Sequence, residues 1–152
     1  MILRPATAAD LQRIAEIRNA SLSGTWTRED FERYLGEGRG LLLVCCSEAD
    51  EVLGFVLASS VLDEAEILSI AVSQDLRGRG CGRLLIEAVQ EQLRDQGVGR
   101  LFLEVADDAA NVAQFYRKFG FREVGRRAGY YREGLERPVD AIVMESSADA
   151  VE

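Results

Sequence analysis

The sequence predicts an α/β or α+β fold, with a mixed central sheet of about seven strands and about four helices. Three observations carry this. Residues 40–73 hold three apolar strand runs separated only by short turns, the pattern of an antiparallel meander. Residues 65–119 then read strand, glycine-rich loop, helix, strand, helix, and a strand–helix–strand crossover makes a parallel, right-handed pair. Two more strand runs close the chain, so antiparallel strands flank the parallel pair.

Each element follows from local pattern. "MILRPA" opens as a short strand. Thr7 caps a helix, with Asp10 three residues on and Leu11, Ile14 and Ile17 along one face. Thr27 repeats the arrangement with Asp30, ahead of Phe31, Tyr34 and Leu35. "GLLLVCCS" (40–47), "VLGFVLASS" (52–60) and "AEILSIAVS" (65–73) are the meander strands. A helix spans about 82–96, where Leu84, Leu85, Ala88, Val89 and Leu93 share a face and Gly97 ends the helix. "RLFLEVA" (100–106) is the next strand. Asp107 or Asp108 then caps a helix running to about Phe119, which Gly120 terminates. "FREVGRR" and "VDAIVMES" are the closing strands.

The chain of 152 residues shows no repeat or linker, so residues 1–146 read as one domain and the small, acidic 147–152 as a disordered tail. No apolar run approaches the roughly 18 residues of a membrane span. "MILRPATAADLQ" turns polar too early for a signal peptide, which points to the cytoplasm. Three cysteines, an odd number without a CxxC pair, argue against a disulfide framework and a zinc site. There is no histidine. That removes Ser-His-Asp and Cys-His nucleophiles and imidazole-bound metals, so no metal is expected and acid–base work falls to carboxylate, phenol, amine or thiol. A net charge of −8 argues against direct nucleic-acid binding.

Against that acidic background, "DLRGRGCGRLL" (75–85) gathers Arg77, Arg79 and Arg83 around Gly78, Gly80 and Gly82, with Cys81 between them. A glycine-rich turn at a helix N-terminus is an anion site: the first helical amides lack internal partners, the dipole adds positive potential, and glycine lets phosphate approach the backbone. Arginines add charge-assisted donors. The dinucleotide pattern G-x-G-x-x-G fails because Arg83 stands at its last glycine, and Walker A fails because no Gly-Lys-Ser/Thr follows.

The stretch does fit Arg/Gln-x-x-Gly-x-Gly/Ala, as Arg77-Gly78-Arg79-Gly80-Cys81-Gly82. With "DEAEILSIAVSQDLRGRGCGRLLIEAV", "LFLEV", "FYRKFGF" and "GYYREGLERPVDAIVM", it resembles the GNAT superfamily of N-acetyltransferases over nearly the whole chain. Within that superfamily it is most similar to the RimI-type enzymes, which acetylate the N-terminal alanine of a ribosomal protein. The resemblance implies a GNAT fold whose parallel strands splay at an acyl-CoA site, with acetyl-CoA as co-substrate. It places the acetyl and pantetheine arm along the backbone of Ile70, Ala71 and Val72 and the pyrophosphate at residues 78–83, Arg77 belonging to the same motif. It matches Glu104 to the family's general base and Tyr116 to its general acid. The implied acceptor is a protein N-terminus, a ribosomal protein among the candidates, for an enzyme that is a monomer or weak dimer. A GNAT acting on a small-molecule amine, or a silent acyl-CoA-binding module, are the alternatives.

Chemistry supports these roles independently. An N-terminal amine, with a pKa of about 7.7–8.0, must lose a proton before it attacks a thioester, and a carboxylate can take it. A phenol can return a proton to the departing thiolate. Glu66 on the preceding strand is a rival base. Cys81 as an acyl carrier is disfavoured because nothing nearby activates it. The family asparagine seven residues before the helical tyrosine is Ala109 here, so the cofactor contact falls to Asn111 or is absent. Gly129 precedes Tyr130 and Tyr131, which either border an acceptor pocket or simply pack, and Trp26 with the helix after Thr27 forms either the pocket's other wall or part of the core.

Overall fold

The computed structural model describes residues 1–22, 24–36, 40–76, 78–107, 110–131 and 137–147. β1 (Ile2–Pro5) leads through a 3-10 turn (Ala8–Asp10) into α1 (Leu11–Ser21) and α2 (Arg28–Gly36). β2 (Gly40–Cys46), β3 (Val52–Val61) and β4 (Glu64–Val72) follow, then α3 (Cys81–Asp95), β5 (Arg100–Ala106), α4 (Ala110–Arg117), β6 (Arg122–Tyr131) and β7 (Val139–Ser147). The seven strands form one sheet in the order β1-β2-β3-β4-β5-β7-β6. Only β4 and β5 are parallel, as the helical crossover between them requires.

The expected elements are all present, with three local differences. The first helix opens with a 3-10 turn, because the Asp10 carboxylate accepts from the Thr7 amide at 2.8 Å and from the Arg4 guanidinium at 2.7 and 3.0 Å. α4 stops at Arg117 rather than near Phe119: the Phe119 and Phe121 amides both donate to the Tyr116 carbonyl, and Gly120 takes φ +90. β6 runs on to Tyr131, past the expected end at Arg127, through a register shift that Gly129 accommodates at φ +59. Asp108, Ala109 and the tail from 148 lie outside the described residues.

Strand alternation gives the sheet two distinct cores. α3 and α4 cover one face, packing Leu85, Ile86, Val89 and Tyr116 on Leu43, Val56, Ile67, Leu103 and Val105. α1 and α2 cover the other, packing Leu11, Ile14 and Phe31 on Leu42, Val44, Phe55 and Leu57. Among the described residues, no helix is long and apolar enough to cross a membrane.

One pairing is incomplete. β4 and β5 pair only over Glu64↔Arg100, Ala65↔Leu101 and Glu66↔Phe102. Beyond that point β4 stays paired with β3 to Val72 and β5 stays paired with β7 to Ala106, so the two strands part. The closed end is pinned: the amides of Gly99 and Arg100 donate to the Asp63 carbonyl at 2.7 and 3.2 Å, and Arg100 pairs with Glu64 and Glu145. At the parting, β4 carries an extra residue, Leu68, between Ile67 (opposite Ala58) and Ser69 (opposite Leu57). A bulge of this kind bends its strand and ends regular pairing.

Candidate active site

The gap opens toward the C-terminal ends of β4 and β5, and the glycine-rich loop stands at the end of β4. A second 3-10 turn (Gln74–Leu76) leaves β4, and Gly78 and Gly80 take φ +82 and +88 on the way into α3. Among the described residues, nothing lies within 4 Å of where a Cβ would sit on either glycine, so their backbone presents no side chain of its own on that side. The first bond of α3 runs from the Leu84 amide to the Gly80 carbonyl, which leaves the preceding amides without helical partners. The loop's chemistry therefore fits a diphosphate.

The loop's side chains divide. The Arg79 side chain is exposed. Arg83 is exposed and bonds Glu87 through Nε at 2.6 Å. Cys81 turns inward instead: its Sγ would lie 2.8 Å from a Cβ on Gly54, and burial followed by its contact with Cys45 pushes the thiol up to about 12. Whatever Cys81 offers a ligand is therefore its backbone. Gly82 is half-buried against Phe115. Arg77 lies outside the described residues.

Ile70, Ala71 and Val72 are the last three residues of β4, on the stretch that β5 has left. Such an edge presents unpaired backbone groups that an amide-bearing arm can complete as an added strand. Asn111 is exposed in the first turn of α4.

Glu66 and Glu104 alternate with Ala65 and Ile67, and with Leu103 and Val105, all packed beneath α3 and α4. Both carboxylates therefore emerge on the opposite, α1/α2 face. Burial first, and repulsion from Glu104 second, raise the Glu66 carboxyl above its ordinary value, while Arg127 opposes the rise. Glu104 forms an ion pair with Arg127, Nε to Oε1 at 2.8 Å, and keeps only 13% of its side chain exposed. Tyr131 shares the cluster: burial and then the Glu104 charge hold its phenol above the usual range. Tyr130 packs edge-on against Tyr131 and lies under the Arg127 guanidinium at 5.4 Å.

Tyr116 approaches from the other side. It is buried beneath α4 between Phe115 and Phe121, with ring centroids 5.3 and 5.7 Å away. Burial raises its phenol, so it stays protonated across the neutral range. Glu104 and Tyr116 thus lie on opposite faces of the sheet. Trp26 packs on Phe31 and stacks on Tyr34 at 6.2 Å, beneath α2. Sequence reasoning missed Arg127: its only signal was strand parity on β6, which has meaning once the register with β7 is known.

This arrangement matches a known family. The profile of the acetyltransferase (GNAT) family covers residues 11–121, which hold the parted strands, the loop, Glu104 and Tyr116. The chain belongs to the GNAT acetyltransferase family. The [ribosomal protein bS18]-alanine N-acetyltransferase of Haemophilus influenzae is 35% identical over 149 residues, 94% of this chain and 96% of that protein. The Salmonella typhimurium protein of the same name is 32% identical over 140 residues, 91% of each chain. The crystal structure of the ribosomal-protein-S18-alanine N-acetyltransferase of Escherichia coli superposes with a TM-score of 0.88 at 29% identity, covering 97% of this chain and 93% of that one. The seven-stranded mixed sheet with four helices is the GNAT fold, and the protein is an acetyl-CoA-dependent N-acetyltransferase.

Proposed function

We propose that this GNAT enzyme acetylates the α-amino group of a protein N-terminus, with an alanine-beginning ribosomal protein as acceptor. The observation that carries the reading is the division of the sheet at its parted strands. The phosphate-binding loop and Tyr116 belong to the α3/α4 side, and the Glu66–Glu104 carboxylates face the other. An anionic coenzyme and a cationic amine then enter from opposite faces and meet in the gap. The relatives named for bS18-alanine acetylation, matched over more than nine-tenths of their length, support the acceptor class.

In this reading the amides and glycines of residues 78–83, with Arg77, hold the diphosphate, and the free edge at Ile70, Ala71 and Val72 pairs with the pantetheine arm. Asn111, a polar residue in the first turn of α4, takes the role of the family asparagine. Glu104 accepts a proton from the acceptor ammonium, and the neutral nitrogen attacks the thioester carbonyl. The adduct nitrogen releases its remaining extra proton to water, the adduct collapses with cleavage of the C–S bond, and Tyr116 protonates the departing thiolate and recovers its own proton from water. No acyl-enzyme is formed.

Glu66 is exposed on β4, but partial desolvation and the Glu104 charge favour it as a second assignment of the base. Glu66 is the carboxylate held above its ordinary value, which brings it nearer the amine it would deprotonate. The test is acetyl transfer to a synthetic peptide beginning with alanine and to small polyamines, read by mass. Transfer to the peptide supports the reading. Transfer to small amines alone overturns the acceptor, and tight acetyl-CoA binding without any turnover overturns the catalytic claim. Glu104→Gln lowers kcat by roughly 10²–10⁴ with acetyl-CoA affinity retained, and Tyr116→Phe does the same with its packing kept. If Glu66→Gln has that effect and Glu104→Gln does not, the base is Glu66.

A further inference from the structure

We propose that Arg127 is a positioning residue that fixes the Glu104 carboxylate in its working orientation. The inference rests on Glu104 being the base. The sheet register explains how the contact arises. Ala106 on β5 lies opposite Ala141 on β7, which lies opposite Arg127 on β6. Opposed residues share a face, so Arg127 stands two strands over on the same face as Glu104.

The path between them is clear of bulk. Arg127 sits across from Ala141, a side chain too short to block a long arginine stem. Opposite Glu104 stands Val143, and opposite Val143 stands Gly125, which has no side chain to compete for the space. The guanidinium ends with Nε at 2.8 Å from Glu104 Oε1 and its carbon at 5.4 Å from the centre of the Tyr130 ring. Two partners of different kinds, a carboxylate and an aromatic face, therefore hold one planar group.

A carboxylate at the lip of a gap turns about its own side-chain torsions unless something binds it. One oxygen tied to Arg127 limits that rotation. The charge of Arg127 also tempers two other groups in the cluster, Glu66 and Tyr131. Its neighbour Arg126 supplies a contrast. Arg126 pairs with Asp107, Glu123 and Asp140, a network separate from the Arg127–Glu104 pair.

The experiment measures acetyl transfer from acetyl-CoA to an alanine-beginning peptide, with thermal melts to verify folding. Arg127→Gln is expected to lower kcat about ten- to a hundredfold, the loss that small misplacements of a catalytic group produce, with KM for acetyl-CoA unchanged. Arg127→Lys recovers part of the rate, and guanidinium chloride partly restores Arg127→Ala. In a Glu104→Gln background, Arg127→Gln causes no further loss. Arg126→Gln, the matched control, keeps wild-type kcat. A wild-type kcat in Arg127→Gln overturns the proposal, and so does an equal loss from it in the Glu104→Gln background. Wild-type activity in Glu104→Gln itself overturns the assignment of the base, a separate outcome read from a separate variant.

Discussion

Gly80 and Gly97 offer a matched pair for testing the anion site. Both take φ +88, and among the described residues neither has an atom within 4 Å of the position a Cβ would occupy. Gly80 precedes α3 at the mouth of the gap and Gly97 follows the same helix at its far end. Alanine at either site meets only the left-handed backbone penalty, about 1–2 kcal/mol, with no clash to add. Gly80→Ala and Gly97→Ala should therefore lose similar stability in urea titrations. Their ligand binding should diverge. A methyl group at 80 stands where a diphosphate must approach, and each charge-assisted hydrogen bond lost is worth about 1.5–3 kcal/mol. That is roughly a ten- to hundredfold weakening of acetyl-CoA, measured by calorimetry, for Gly80→Ala and no change for Gly97→Ala. S-acetyl-N-acetylcysteamine, a thioester without a diphosphate, should react equally well with all three proteins at matched concentration. If Gly80→Ala binds acetyl-CoA as tightly as the wild type, the loop is not the anchor.

Further outcomes follow from single residues. Cys81→Ala keeps kcat within about twofold, because a thiol buried and held near 12 supplies no thiolate; a folded variant with no activity would restore Cys81 to the chemistry. Glu66→Gln raises the melting temperature at pH 7.5 and has no effect near pH 4. The folded-state value of Glu66 is raised, so its contribution is fully present below the ordinary glutamate value of about 4.3 and is lost as pH rises through the folded one. An equal shift at both pH values contradicts this. Leu62→Gly stabilises the protein by up to about 1 kcal/mol, since relief of a residue at φ +57 exceeds the entropy glycine adds to the unfolded chain; a lower melting point refutes it.

Local chemistry was legible wherever one short segment determined it. Thr27 and Asp30 cap α2 reciprocally, with the Thr27 amide on Asp30 at 2.7 Å and the Asp30 amide on the Thr27 hydroxyl at 3.3 Å. The alternation of β2 and the stripe of α3 likewise place their own core residues. The parting of β4 from β5 was visible only through family resemblance. Leu68 belongs to an ordinary apolar run, and its role as the extra residue exists only relative to the register of β3. The same holds for Arg127. Its partner lies 23 positions away in sequence and two strands away in space, so no window of sequence contains the pair. Cys81 shows a related limit: a motif marks its slot as open to any residue, but the close approach of Gly54 turns the side chain into the core.

The parted strands also bear on the type of mechanism. Acetyl transfer between two molecules requires either that the protein carry the acyl group between visits or that both be bound together. With no histidine in the chain and all three cysteines buried, the familiar carriers are missing or enclosed. Simultaneous binding then needs two entrances to one point, and a fully paired sheet would close off one of them. Separating β4 from β5 removes that wall while the outer partners β3 and β7 keep each strand in register. The strand whose bulge coincides with the opening also leads directly into the glycine loop. On the proposed reading, where the coenzyme is anchored and where its thioester is reached are both set by β4, and a change in the bend at Leu68 would alter the two together.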